Sequence, residues 1–326
     1  MVEKKPLLSI CIPTYNRAEY LEKSLESIIR QPEFHSDDVE VVISDNCSTD
    51  NTEELCRKYA TKYSNIHYFR NEVNNHDENF PTVLSEAKGE FRKLSNDTVY
   101  YHNGSIKYIL KILKRNRGKQ IFFFHKKLKR NLKIKGMELF MYNVSFYITS
   151  ITCEGFWDSD CENIKNKTYA CDKHLWQVPF LLKIIKEKKD VIIVRKKIYD
   201  MLPVKNKDIS YGLYQVFYEN YLGLIAEFVK SKDISVECYN WLEKDLLFNY
   251  FSLWFNKVKN NAKDYKLNES ENFFTLIQNA YKNKTYYSYF IFVSKLKGFL
   301  NEFIECVHNT RMKILNIKTT NRNEKD

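Results

Sequence analysis

The stretch "EFRKLSNDTVYYHNGS", residues 90–105, contains the residue most plainly equipped for chemistry, Asp97. Its apolar first half reads as a buried strand, and the chain turns polar at Ser95-Asn96-Asp97-Thr98 before a helix begins at "GSIKYIL". A strand that simply stops favours Gly, Pro or Asn-Gly at its tip. A carboxylate there supplies a hard oxygen for a divalent cation, or a charge poised beside a phosphate. The competing local account is an acid near a helix N-terminus, where the helix dipole welcomes negative charge.

The elements that would position Asp97 are legible over residues 7–125. "LLSICI" is a compact β-branched run ended by "PTYNR", and in "AEYLEKSLESIIR" the residues Leu21, Leu25, Ile28 and Ile29 recur at helical spacing. "VEVVIS" leads through "DNCSTDNT" into "EELCRKYATKY", where Asp50 stands three residues before Glu53 as a helix-capping signal rather than a ligand. A third unit runs from "IHYFRN" to "ENFPTVLSEAKG", and a fourth from "FRKLS" to "GSIKYILKILKR". Such β-then-α units predict an α/β fold with a mostly parallel sheet and helices on both faces. Right-handed crossovers then put every strand's C-terminal end on one edge. The clusters "PTYNR", "DNCSTD", "RNEVNN" and "SNDT" all fall on that edge, where open α/β sheets bind ligands.

Beyond residue 125 the chain turns basic. "MELFMYNVSFYITSI" is expected to be a strand, "HLWQVPFLLKIIKE" (174–187) a helix despite Pro179, and "DVIIVRKKIYDML" the close of an α/β domain spanning residues 1–204. Residues 205–318 read as three to five aromatic helices forming an acceptor- or membrane-facing subdomain, and 319–326 as a disordered polar tail. No repeat of fixed period occurs.

With 326 residues and 44% hydrophobic content the chain can bury a real core, and its net charge of +11 favours anionic partners. The eight cysteines include no C-x-x-C pair, which points to free thiols in a reducing compartment. The N-terminal apolar run is too brief for a signal sequence, and no run of 18 apolar residues occurs. The expected location is cytoplasmic, with peripheral contact at the inner face of an anionic membrane. The acid-free run from Lys114 to Lys135 is either a surface for an anionic acceptor such as a lipid diphosphate or membrane headgroups, or a solvated hairpin. Charge alone supports no specific nucleic-acid binding, and no G-x-G-x-x-G follows the first strand, which disfavours a dehydrogenase.

"LSICIPTYNRAEYLEKSLESI", "VEVVISDNCSTDNT", "RNEVNN" with "NF" and "LSEAKGEF", and "KLSND" together resemble glycosyltransferase family 2, over roughly residues 7–200. The resemblance implies the GT-A fold and transfer of a sugar from a nucleotide diphosphate sugar, UDP being the commonest carrier, with Mn2+ or Mg2+ on the departing diphosphate. It makes Asp97 the metal ligand, the second acid of the family's Asp-x-Asp, whose first acid is Ser95 here and whose middle residue is Asn96. Pro13, Thr14 and Tyr15 match the loop beside the base, with Arg17 near the diphosphate. Asp45 matches the acid that accepts a hydrogen bond from the base, and Arg70 and Asn79 lie where the family places residues near the base and donor sugar, although Asn79 could equally cap its helix.

The acceptor hydroxyl needs a general base. The resemblance implies an acid late in the domain, and in "TYACDKHLWQV" only Asp172 of the usual Glu-Asp pair is present; a helix-capping acid is its other reading. His174, Glu154 and Asp158 are alternative bases. Neither Gln-x-x-Arg-Trp nor membrane spans, the marks of the family's processive synthases, occur, so a non-processive enzyme is expected; the resemblance implies an inverting one acting on a surface-glycan or lipid-linked saccharide acceptor. The alternative is a catalytically degenerate binding or scaffold protein on the same fold, suggested by Ser95 and the single acid at 172.

Overall fold

The structure is a computed structural model that describes residues 4–125, 130–166, 169–205, 207–209, 211–255, 265–267 and 272–295. The expected tail 319–326, part of the basic run and the last expected helix, from residue 296 on, lie outside the described residues. The chain divides into two compact units, one of Met1–Lys207 with Gln215–Glu243, the other of Asp208–Tyr214 with Lys244–Asp326.

The first unit is built on β1 (Leu8–Thr14), β2 (Val39–Asp45), β3 (Ile66–Arg70), β4 (Phe91–Leu94) and β8 (Gly155–Trp157), in the order β3-β2-β1-β4-β8. β3, β2, β1 and β4 are parallel, while β8 runs antiparallel on the edge. Every residue of β1 and β2 is buried, as expected for strands covered on both faces. The connecting helices are α1 (Ala18–Ile29), α2 (Thr52–Lys62) and α3 (Asn79–Glu86). Helix α1 buries Leu21, Leu25 and Ile28, the stripe read from its spacing.

The order reverses direction between β1 and β4, so the crevice outside their C-terminal ends is the switch point where such sheets bind ligands. The fourth unit differs from expectation. A short strand β5 (Val99–Tyr101) intervenes before α4 (Ser105–Arg115) and pairs antiparallel with β10 (Tyr199–Met201). The "TVYY" that follows Asp97 therefore leaves the polar edge as a strand. A third small sheet joins β6 (Gln120–Phe123), β9 (Asp190–Val194) and β7 (Leu132–Lys135) in the order β6-β9-β7.

The expectation of a strand over "MELFMYNVSFYITSI" is corrected. Met137–Val144 is helix α5, followed by 3-10 turns, because Met137, Phe140, Met141 and Val144 recur at helical spacing and are all buried. Helix α6 (Gln177–Lys188) accommodates Pro179 in its first turn, where the missing N–H has no helical partner to lose. Helices α7 (Tyr221–Lys230) and α8 (Val236–Asp245) follow; α7 and nearly all of α8 belong to the first unit. In the second unit an aromatic core gathers Phe251, Phe273 and Phe290 around helix α9 (Phe273–Tyr281), with Phe251 and Phe273 centroids 5.6 Å apart.

Candidate functional site

Asp97 sits where the switch point requires it. β4 ends at Leu94, Ser95 N–H donates to the Cys11 carbonyl of β1 (2.8 Å), and two residues later the Asp97 carboxylate accepts from Thr14 Oγ1 at 3.0 Å. The turn carrying Asp97 is thus bonded to the last residue of β1. Asp97 is 7% exposed, and burial pushes its carboxyl up to about 6, against the pull of the Arg17 charge and the Thr14 hydrogen bond. Ser95, at the position of the family's first acid, is fully buried and accepts a hydrogen bond from Tyr101 Oη at 3.0 Å. Asn96 is half-buried, its N–H directed at Thr152 Oγ1 (3.3 Å).

Pro13 and Thr14 are buried at the end of β1, Tyr15 is 42% exposed, and Arg17 is half-buried with its guanidinium 5.7 Å from the Tyr20 ring. Asn16 holds the turn in the left-handed region (φ 51), which Asn tolerates better than most residues. Its side-chain oxygen accepts from Thr49 N–H at 2.7 Å, and its own N–H donates to Ser48 Oγ at 2.9 Å, so the loops after β1 and β2 are knit together. Asp50 accepts from Ala18 N–H (3.2 Å) and Thr52 N–H (3.0 Å), the first amides of α1 and α2, while the N-cap position of α2 is Asn51, whose side chain makes no cap bond.

Asp45 ends β2 with no exposed surface. One of its oxygens accepts from Ser48 N–H (2.9 Å); the other accepts from Tyr68 Oη (2.9 Å) and Arg70 (2.7 Å). Arg70, about one quarter exposed, also donates to the Ser48 carbonyl (2.9 Å). The structure therefore joins Asp45 and Arg70, but seals the carboxylate behind the guanidinium and the phenol. Asn79 is likewise buried: its oxygen accepts from Ser44 Oγ (2.6 Å) and Asn71 (3.0 Å), and its amide donates to the Ser44 carbonyl (3.0 Å). It makes no cap to α3 and instead ties that helix to the end of β2.

The sequence reading missed the rest of this network. Asn46 bonds Asn71, Asn74 and the Asn75 N–H, and Asn71 reaches Asn79, so the loop after β3 is held by side-chain amides. The density of Asn in "RNEVNNHDEN" was the available signal.

Asp172 is exposed and lies in the 3-10 turn Cys171–Lys173, five residues ahead of α6. Its helix-cap reading is not supported, since α6 has no side-chain cap. The turn is anchored by Asn220, whose amide donates to the Lys173 carbonyl (3.1 Å), and by His174, whose Nδ1 lies 3.5 Å from Asp77 in the loop after β3. The hydrogen bond to Asp77 raises the His174 pKa, so it favours the imidazolium and fits a general base poorly.

Two alternative bases are corrected by the structure. Glu154 is fully buried, neither oxygen has a hydrogen-bond partner, and burial pushes its carboxyl well above the usual range despite nearby Lys93. Asp158 follows β8, which runs antiparallel, and so lies at the sheet's opposite edge, bound to Arg92 and to Lys5 (2.8 Å). Neither can reach an acceptor at the Asp97 edge as placed.

The donor set can be tested against a divalent cation. Among the described residues no group of three or more His, Cys, Asp or Glu side chains could hold a metal. One hard carboxylate at a switch point suits Mg2+ or Mn2+, which take few protein ligands and complete their shells with substrate phosphates and water. Asp97 fits that role.

Residues 9–148 match the family described as "Glycosyl transferase family 2". Among curated relatives, the abequosyltransferase RfbV of Salmonella typhimurium is 49% identical over 87 residues, 26% of either chain. Poly(ribitol-phosphate) beta-N-acetylglucosaminyltransferase TarS of Staphylococcus aureus is 33% identical over 101 residues, 30% of this chain and 17% of that one. The matches thus span a third or less of these relatives. Among solved structures, S. aureus TarS 1-349 in complex with UDP-GlcNAc superposes with a TM-score of 0.53 at 19% identity, covering 80% of this chain and 76% of that one. Mannosyltransferase PcManGT from Pyrobaculum calidifontis, in complex with GDP-Man and Mn2+, gives 0.51 at 14%, covering 92% and 88%. The fold is the GT-A fold of these transferases.

Proposed function

We propose, on the premise that residues 9–148 are a glycosyltransferase family 2 domain, that the protein is a non-processive, inverting glycosyltransferase using a nucleotide diphosphate sugar, UDP by preference, and a surface-glycan or lipid-linked saccharide acceptor. The observation that carries this reading is Asp97 at the β1/β4 switch point, bonded to Thr14 and facing the charge of Arg17.

In this reading the base packs against the exposed Tyr15 ring, and Arg70 meets it from the end of β3 while Asp45 fixes the guanidinium from behind. Arg17 faces the diphosphate. A divalent cation, when bound, neutralises the charge that develops on the departing diphosphate, and Asp97 holds it. Asn96 shapes the turn, and Asn79 acts at a distance by fixing α3 against β2. Asp172 takes the acceptor proton as its oxygen attacks the anomeric carbon; the imidazolium of His174 holds the turn against Asp77.

The domain assignment belongs to the same proposal: a catalytic part over residues 1–204 and an acceptor- or membrane-facing helical part over 205–318, whose segment Gln215–Glu243 clusters with the catalytic part and bonds it through Asn220. Location at the inner face of an anionic membrane is proposed from the net charge of +11 and the Lys107, Lys111, Lys114 and Arg115 side of α4. No helix of the described residues is long and apolar enough to cross a membrane. Calorimetric titration of UDP with and without Mn2+ tests the core of the reading. Tightening by Mn2+ in wild type and its loss in Asp97→Ala is the expected result; equal tightening in both would remove Asp97 from the metal.

A further inference from the structure

A cavity of about 1040 Å3 opens at the amino edge of the main sheet, between the chain entering β1, the start of β2, and the segments that lead into β3 and β4. β1 has seven residues and spans roughly 20 Å, so this cavity and Asp97 lie at opposite ends of the same strands. Nothing in the proposed transfer uses it.

Its walls carry five permanent cations and two carboxylates. Some of that charge is internally matched: Lys4 pairs with Asp38 (3.0 Å), and Lys5 and Arg92 pair with Asp158. Glu40, one of the two carboxylates, is 2% exposed. One of its oxygens accepts from Ser9 Oγ (2.6 Å), Lys88 N–H (2.7 Å) and Gly89 N–H (3.0 Å), and the other lies 3.3 Å from His67 Nε2. Its negative charge is therefore engaged within the wall.

The other carboxylate, Asp37, is exposed and acts on the Lys4 charge. Of the cations, Lys62 and Lys88 remain. Both are exposed, and neither has a carboxylate partner among the described residues. They stand on opposite flanks, Lys62 at the end of α2 and Lys88 between α3 and β4. Arg92, on the same wall, is 8% exposed, and its charge is already met by Asp158. A concave surface with cations on both flanks concentrates anions.

We propose that this cavity is a second binding site, separate from the nucleotide cleft, for a small molecule bearing a phosphate or diphosphate group, held between Lys62 and Lys88. Two ammonium groups on flexible stems serve as point charges and accept phosphate without demanding one geometry.

The test is calorimetric titration of the full chain with inorganic pyrophosphate in EDTA, so that metal-dependent binding at Asp97 does not contribute. The Lys62→Gln/Lys88→Gln double variant is compared with Lys230→Gln/Lys232→Gln, which removes equal charge at the end of α7. All four lysines are exposed, so folding is not at stake. The expected result is wild-type binding that weakens about tenfold or more in the first variant and less than about twofold in the second. Equal weakening in both, no change in the first, or no wild-type binding at millimolar pyrophosphate would overturn the site. Competition from phosphatidic acid vesicles would assign the phosphate to a lipid headgroup, and its lack to a soluble ligand.

Discussion

Replacing Asp97 by Asn isolates the cost of keeping a carboxylate at the switch point. The amide oxygen can still accept from Thr14 Oγ1, so the turn keeps its bond to β1 and only the charge is lost. Burial raises the Asp97 pKa from 3.8 to about 6, so its ionisation in the apo protein costs up to about 3 kcal/mol, at about 1.4 kcal/mol per unit. The sign follows from proton linkage. Between those two values the native state binds the proton more tightly than the unfolded chain, so the stability Asp97 contributes is fully present below pH 3.8 and is lost as pH rises through 6. The variant lacks that loss. In urea denaturation without metal, Asp97→Asn should exceed wild type by up to about 3 kcal/mol at pH 7, with the gap narrowing towards pH 5. The same carboxyl must lose its proton to bind a cation, so Mn2+-dependent tightening of UDP in wild type should weaken about tenfold per pH unit below 6. A variant less stable than wild type at pH 7, or a gap independent of pH, would refute the account of a buried carboxylate held for a cation.

Arg70→Met leaves Asp45 fully buried with one charged partner fewer and should cost about 3 kcal/mol in chemical denaturation, the scale of a broken buried pair; an unchanged midpoint would contradict the network. Asp172→Asn keeps shape but cannot take a proton, so transfer measured by release of nucleotide diphosphate should fall by about 10² or more, with donor affinity unchanged by calorimetry. Wild-type turnover would move the base elsewhere. Asn79→Ala strands buried Ser44 and should destabilise by about 2 kcal/mol, and faster amide exchange over 71–79 would show that the loop has loosened. Glu154→Gln should change stability by less than about 1 kcal/mol, because burial favours the neutral carboxyl that the amide replaces; a larger loss would mean a charged pair with Lys93.

Much of the site was legible because its parts occupy one place in each β-then-α unit. Asp97, Thr14, Asp45 and Arg70 each stand at or just beyond a strand end, and hydrophobic run lengths alone show where a strand ends. Asp50 was legible as a residue of the α2 start, although Asn51 holds the cap position. The failures share one cause, that periodicity is local whereas direction and depth are not. "MELFMYNVSF" satisfies an alternating and a helical pattern together, and its packing selects the helix. Glu154 and Asp158 lie four residues apart on one short edge segment, yet the antiparallel course of β8 buries one and sends the other to the far edge.

The sequence by itself determined the parallel α/β character, the stripe of α1, and which residues could do chemistry, because apolar spacing and side-chain type act within a few residues. Only the tertiary structure decided what those residues meet. It joined Asp97 to Thr14 across 83 positions, closed Asp45 behind Arg70 and Tyr68, and turned Asn79 inward to β2. Each of these is a buried polar contact, and the cost of leaving such a group unpaired is what selects one partner from a distant part of the chain.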